Sequence, residues 1–143
     1  MIKILTVSLA LLGLATSASL ADGPTASVAV GGYDLVSYFK ADEPRRGNGH
    51  NAVTHDGTTY LFANAENAET FKQNPDKYLP AFGGYCAMGM AMGKKLHVDP
   101  LAYKIVDGQL YLNLDKKVQG MWEKNLDMNL EKARTNWDKM TNS

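Results

Sequence analysis

Two stretches of the chain alternate apolar and polar positions, and each is followed by a helical pattern. The first runs from Ala52 to Phe71 and the second from Tyr103 to Trp122. In each stretch a β-branched run leads to Asp-Gly and then to an aromatic strand. Asp-Gly favours the tight turn of a β-hairpin because that turn needs positive φ angles. The pattern therefore predicts two hairpin-plus-helix units.

The two units correspond residue by residue at a constant offset of 51. The Asp-Gly pair at 56–57 recurs at 107–108, and Phe71 recurs as Trp122. One explanation is an internal duplication. The other is convergence, because a hairpin followed by a helix is a simple local solution that unrelated segments reach independently. The sequence leaves both open.

Helical spacing predicts further elements around these units. A short helix or turn is expected over 31–39, with Asp34 near its start, and a helical turn is expected to begin at Pro75. The charged stretch 40–51 is expected to be a surface loop, and the tail Asp115–Met140 to be helical with a break near the sequence NLDMN. The predicted fold is a small α+β domain, with two β-hairpins in one sheet or two short ones, covered by several helices.

The N-terminal residues have the pattern of a secretory signal peptide. A positively charged start, a short apolar run and a small-residue end predict a signal peptide over 1–21, cut after Ala21 or alternatively after Ala18. A flexible lead-in over 22–31 and one folded domain over 32–140 are expected to follow. The protein is therefore predicted to be periplasmic or secreted. The apolar run is too short to span a bilayer, so no integral membrane protein is expected after cleavage.

Composition narrows the function classes. The 15 basic and 15 acidic residues give a formal net charge of zero, so no basic face is indicated and nucleic acid is not an expected partner. The chain lacks the common hydrolase, phosphate-loop, zinc-protease and Cys-x-x-Cys motifs. An enzymatic activity is therefore not expected.

The stretch GGYCAMGMAMGKKLHVDP, residues 83–100, contains the single cysteine of the chain and three methionines at alternate positions. If it is extended, all four sulfur atoms point to one side; if it is helical, Met88 pairs with Met92 and Cys86 with Met90. Thiolate and thioether are soft ligands that favour Cu(I), and imidazole also binds copper. These residues predict a copper-binding site with six candidate ligands: Cys86, Met88, Met90, Met92, His97 and His55.

Two other functions remain open for this stretch. In a thiol-based redox protein, Cys86 would be exposed and reactive. In a binding module without chemistry, Cys86 would be buried and inert, the methionines would fill gaps in the core, and function would lie on the 40–51 loop or in an apolar groove. The exposure of Cys86 and the positions of the methionines distinguish these functions.

The stretch His55–Tyr78 resembles the YHS domain, a hairpin ending in an aromatic strand and followed by a helix with Phe, Asn-Pro and Tyr. The matching residues are Gly57, Tyr60, Phe62, Phe71, Pro75 and Tyr78. The wider stretch 32–137 is similar to exported YHS-domain-containing proteins and selenoproteins, on the boxes GGYCA, GKK, DP and VDGQLYLNL and the tryptophans of the tail.

This resemblance has two implications. Related proteins carry selenocysteine at the position of Cys86, which implies a chemical role for that atom. Other YHS domains are thought to bind metal through cysteines in the step between strand and helix. Here that step, residues 62–65, has no cysteine, so a metal would have to use the later box.

Overall fold

The computed structural model describes residues 28–143. The predicted signal peptide and most of the predicted lead-in lie outside the described residues. The described chain contains four strands, six α-helices and two short 3-10 segments. The 3-10 segments are Ala29–Gly32 and Ala81–Gly84. The strands are β1 (Asn48–His55), β2 (Thr58–Phe62), β3 (Asp99–Val106) and β4 (Gln109–Asn113). The helices are α1 (Ser37–Lys40), α2 (Ala65–Gln73), α3 (Pro75–Tyr78), α4 (Ala87–Ala91), α5 (Lys116–Glu123) and α6 (Leu126–Thr141).

The two predicted hairpins are present as two separate two-stranded antiparallel sheets, β1–β2 and β3–β4. Asp56 and Gly57 have φ angles of 46° and 75°, and Asp107 and Gly108 have 49° and 77°. Positive φ at both central residues is the mark of a type I′ turn, whose twist matches that of the flanking strands. The predicted α+β fold is confirmed. Of the two predicted arrangements, one sheet or two short sheets, the structure has two short sheets.

The halves of the molecule repeat each other in details that a hairpin does not require. The strand register shifts between Asn48 and Ala52 in the first hairpin, and between Asp99 and Tyr103 in the second. Helices α2 and α5 both begin at a residue whose side chain accepts the N–H three positions later: Asn64 from Asn67 at 2.8 Å and Asp115 from Val118 at 2.7 Å. Both 3-10 segments end in three consecutive residues with positive φ. A shared irregularity is poorly explained by convergence, so the structure favours internal duplication.

The core lies in two clusters that β4 joins. One face of β4 contributes Leu110 and Leu112 to a cluster with Phe62 and Phe71, and the other face contributes Tyr111 to a cluster with Trp122. Alternate residues of a strand point to opposite faces, so this one short strand packs on both sides. The second cluster, with α4 and α6 packed against it, positions the cysteine–methionine stretch.

A close backbone approach at Gly47 makes a first testable prediction. A Cβ atom added there would lie 2.6 Å from the Leu61 side chain and would overlap the Leu61 backbone carbonyl. Because backbone atoms of a paired strand cannot move aside cheaply, Gly47→Ala should lower the free energy of unfolding by about 2 kcal/mol or more. Gly49→Ala is the matched control, since no described atom lies within 4 Å of its added Cβ. Equal urea midpoints for the two variants would contradict the prediction.

Within residues 28–143 no helix has both the length and the apolar character needed to cross a bilayer.

Candidate functional site

The cysteine–methionine stretch is helical rather than extended. Helix α4 begins at Ala87, and Cys86 is its N-cap residue, whose Sγ accepts the N–H of Gly89 at 3.3 Å. Helical spacing separates the four sulfur-bearing side chains into two pairs. Met88 and Met92 lie on the outer side of α4, whereas Cys86 and Met90 lie on the inner side and are fully buried.

Cys86 is 0% exposed and lies between α4 and the end of β4. Its Sγ is 3.7 Å from Oδ1 of Asn113, and its backbone N–H donates to the carbonyl of Leu96 at 3.1 Å. A sealed thiol is the arrangement expected for a binding module, and it differs from the exposed thiol expected for a fast redox reaction. Cys86 is also separated from solvent-borne metal by the helix that it caps.

The histidines lie apart from the cysteine–methionine stretch or on the surface. His55 is at the tip of the first hairpin, 3.4 Å from the carboxylate of Asp56 and edge-on to Phe71. His97 is exposed in the segment that precedes β3. Residues 28–143 contain no group of three or more His, Cys, Asp or Glu side chains placed to hold a metal ion. The six candidate ligands are therefore divided among the core, the outer face of α4 and the two histidine positions.

A groove on the outer side of α4 gathers methionines from three helices. It encloses about 450 Å³. We call it the methionine groove, and its lining residues are Met88, Ala91, Met92, Met121, Lys124, Asn125, Met128, Asn129 and Lys132. Met92, Met121 and Met128 are 58%, 48% and 46% exposed, and Met88 is half-buried. The groove therefore presents thioether side chains at the surface. The candidate ligands Cys86 and Met90 are buried and are not part of it.

Two asparagines fix the walls of this groove. Asn136 of α6 donates its side-chain amide to the carbonyls of Met90 and Ala91 at 2.9 and 3.2 Å, which caps the end of α4. Asn129 donates to the carbonyl of Trp122 at 2.9 Å and so fixes the corner between α5 and α6. Because one buried and two partly buried amide hydrogen bonds hold the three helices together, the groove is a preformed surface.

Met121 and Met128 were not among the predicted ligands. Met121 lies within the predicted helical tail, and Met128 lies in the sequence NLDMN, near which the helix break is predicted. They flank a corner between two helices, so their meeting with Met88 and Met92 depends on tertiary packing. A methionine in otherwise polar surroundings, such as Met128 in DMNLEK, is the signal that could have identified one of them.

The charge of the groove comes from Lys124 and Lys132, the two charged residues that line it. Thioethers are neutral ligands, so they do not offset the charge of a bound cation. The two lysines repel any bound cation, a divalent ion more strongly than a monovalent one, and no carboxylate of the described chain lines the groove. The polarisable sulfur atoms suit a soft monovalent ion or an apolar contact.

Searches of family models, curated proteins and solved structures found no match to this chain. The resemblance to exported YHS-domain proteins therefore stays a prediction from the sequence.

Proposed function

We propose that this protein is an exported binding protein for a soft metal ion, with Cu(I) as the ion that fits best, and that the methionine groove holds it. Six large apolar side chains of residues 28–143 are exposed, and three of them are the groove methionines Met92, Met121 and Met128. Exposed apolar side chains that gather in one place mark a binding surface. Thioether sulfur favours Cu(I) over harder ions.

This proposal keeps the copper-binding function expected from the sequence and changes the ligands. Met88 and Met92 remain candidate ligands, and Met121 and Met128 are added to them. Cys86 is no longer a ligand and serves as the buried N-cap residue of α4. An exported protein that presents only thioethers would bind copper reversibly, because neutral ligands hold the ion less tightly than thiolate does. Reversible binding suits handling and delivery.

The test replaces thioethers by groups of the same size. We expect the folded protein to bind Cu(I) saturably against a competing chelator. Replacing Met88, Met92, Met121 and Met128 together by Leu should abolish that binding, and each single change should weaken it by roughly tenfold, or ~1.4 kcal/mol. Met140→Leu is the matched control, because Met140 lies on α6 and packs against the second core cluster outside the groove.

Cys86→Ser separates this proposal from the ligand set predicted by sequence. The variant should retain Cu(I) binding, because Cys86 is buried behind α4. Loss of binding in Cys86→Ser, together with full binding in the fourfold leucine variant, would contradict the groove and favour a thiolate-anchored site.

A second candidate function is a binding module that uses the groove for an acidic, amphipathic protein segment. The observation that favours it is the pair Lys124 and Lys132, which border an apolar surface. An amphipathic peptide with leucine on one face and glutamate on the other is the probe. It should bind the fourfold leucine variant as well as the natural protein, and should lose binding when both lysines become Glu. The leucine variant thus separates the two functions.

A further inference from the structure

Cys86 in the second half of the molecule is the structural counterpart of Asp34 in the first half. Each follows a 3-10 segment with positive φ angles and a Gly-Gly-Tyr sequence, and the two are 52 residues apart. Both are 0% exposed. The backbone N–H of Asp34 donates to Arg45 at 2.8 Å and that of Cys86 to Leu96 at 3.1 Å, so both anchor the connection that returns to the next strand. The first half therefore shows what this position of the fold accommodates.

In the first half the position holds two anionic oxygen atoms. Oδ1 of Asp34 accepts the N–H groups of Val36 and Ser37 at 2.9 and 3.2 Å. Oδ2 accepts the N–H of Ala63 at 2.9 Å and the side-chain amide of Asn67 at 2.7 Å. Four donors around one buried carboxylate satisfy its charge without a cationic partner.

In the second half one donor matches the first half, and a nearby buried amide nitrogen has no acceptor in the described part of the chain. The N–H of Gly89 reaches Sγ of Cys86 at 3.3 Å, as that of Ser37 reaches Asp34. The N–H of Met88 donates to Oδ1 of Asn113 at 3.2 Å, which fixes the orientation of that amide. Nδ2 of Asn113 is buried and finds no acceptor among residues 28–143. A buried amide nitrogen without a partner is costly and calls for an explanation.

We propose that Cys86 is an oxidation site and that the stable product is the sulfinate, which the Asn113 amide holds in place. The group –CH₂–SO₂⁻, like the –CH₂–CO₂⁻ of Asp34, carries two oxygen atoms that share one negative charge. One sulfinate oxygen takes the place of the sulfur as acceptor for Gly89. The thiol's contact with Oδ1 of Asn113, at 3.7 Å, is lost, and the other oxygen turns to the second atom of the same amide, Nδ2, as its donor. The anion of the second half then has two donors, Gly89 and Asn113, where the carboxylate of Asp34 has four.

The oxidant is a hydroperoxide, with hydrogen peroxide as the simplest case. The thiol reacts first to the sulfenic acid and then to the sulfinate, and each step reduces one peroxide to water. The balance is RSH + 2 H₂O₂ → RSO₂⁻ + H⁺ + 2 H₂O, in which two S–O bonds form, two O–O bonds break and the proton leaves to solvent. Because the sulfur is sealed, the reaction proceeds through local opening of α4 and is slower than at an exposed thiol.

The first test treats the folded protein with hydrogen peroxide. After unfolding and reduction with dithiothreitol, one thiol per chain should be lost irreversibly, and fragment masses should place two added oxygen atoms on Cys86. Cys86→Ser, treated in parallel, corrects for oxidised methionines. The change in melting temperature that peroxide causes in Cys86→Ser is subtracted from the change in the natural protein. The remaining change should be no more than about 4 °C. A thiol that survives excess peroxide, or a fall of more than about 8 °C, would overturn the proposal.

The second test needs no oxidant. Cys86→Asp places the Asp34 side chain in the second half, and Cys86→Asn is its neutral match in shape. We expect the Asp variant to fold and to melt at or above the Asn variant. Adding Asn113→Leu should lower the melting temperature of the Asp variant by at least about 3 °C more than that of the Asn variant. An equal effect in both, or a Cys86→Asp chain that fails to fold while Cys86→Asn folds, would contradict a cradle for an anion. The methionine groove takes no part in either test.

Discussion

Replacing Asp34 by Ala should lower the free energy of unfolding by about 4 kcal/mol, one of the two largest effects that we expect from a single change. The carboxylate is fully buried and accepts four hydrogen bonds, from Val36, Ser37, Ala63 and Asn67. Each hydrogen bond to a charged group contributes roughly 1.5–3 kcal/mol, and the contributions do not add fully. Alanine would leave all four donors without an acceptor, which costs more than the loss of the bonds alone.

These partners come from three elements, which is why the effect should be global. Val36 and Ser37 lie at the start of α1, Ala63 follows β2, and Asn67 lies on α2. Without the carboxylate, the start of α1 loses the side-chain hydrogen bonds that connect it to Ala63 and Asn67. Total domain stabilities are about 5–15 kcal/mol, so the loss is a large fraction of the whole.

Urea or thermal unfolding measures this prediction, with Asp42→Ala as the control. Asp42 is an exposed aspartate in the neighbouring loop, and its replacement should change the free energy of unfolding by less than about 0.5 kcal/mol. Asp34→Asn should lower the free energy of unfolding by less than Asp34→Ala and by more than Asp42→Ala. One carboxylate oxygen is replaced by an NH₂ group, which faces donors and cannot accept from them. A change of less than about 1 kcal/mol for Asp34→Ala would show that the network carries little of the stability.

The hairpins and helix starts were predictable because their determinants are local. Asp-Gly specifies its turn through the φ angles that glycine and aspartate tolerate, and Pro75 begins α3 as its fixed φ angle predicts. The break in the tail helix also appears, between α5 and α6, at Lys124 and Asn125. Such signals act over a few residues, so no knowledge of the rest of the chain is needed to interpret them.

The site was less predictable because it depends on which side of a short helix faces the core. Alternate spacing of Cys86, Met88, Met90 and Met92 fits a strand and a helix equally well. Packing of α4 against α6 decides between them and buries Cys86 with Met90. The same packing brings Met121 and Met128 to the outer pair. Sequence spacing carries no information about this tertiary arrangement of the four methionines.

The correspondence between the two halves was visible in the sequence only where the halves are most regular. The constant offset of 51 covers the hairpins and the helices that follow them, but the Gly-Gly-Tyr segments are offset by 52. That single added residue hides the correspondence between Asp34 and Cys86. The shared backbone geometry reveals it, and so turns an isolated cysteine into one of two versions of the same buried polar position.

Trp122 and its indole N–H give the second large effect. Trp122→Ala should lower the free energy of unfolding by about 4 kcal/mol, because the side chain is fully buried in the second cluster, with its ring 5.5 Å from that of Tyr111. Trp122→Phe should cost only about 1 kcal/mol. Nε1 of Trp122 is buried and finds no acceptor among residues 28–143, so phenylalanine removes an unsatisfied donor while it keeps most of the apolar area.

The contrast between the two variants is the informative measurement. Met121→Ala is the control for the same turn of α5, because its side chain is 48% exposed and should contribute little to stability. If Trp122→Phe lowered the urea midpoint nearly as much as Trp122→Ala, the indole N–H would have a partner, such as a bound water, that holds it in place. If Phe is tolerated, the second half is held by the size of its aromatic anchor, as Phe71 holds the first at the equivalent position. The two halves would then share an apolar anchor and differ at the buried position of Asp34 and Cys86, where the first half has a carboxyl group and the second a thiol.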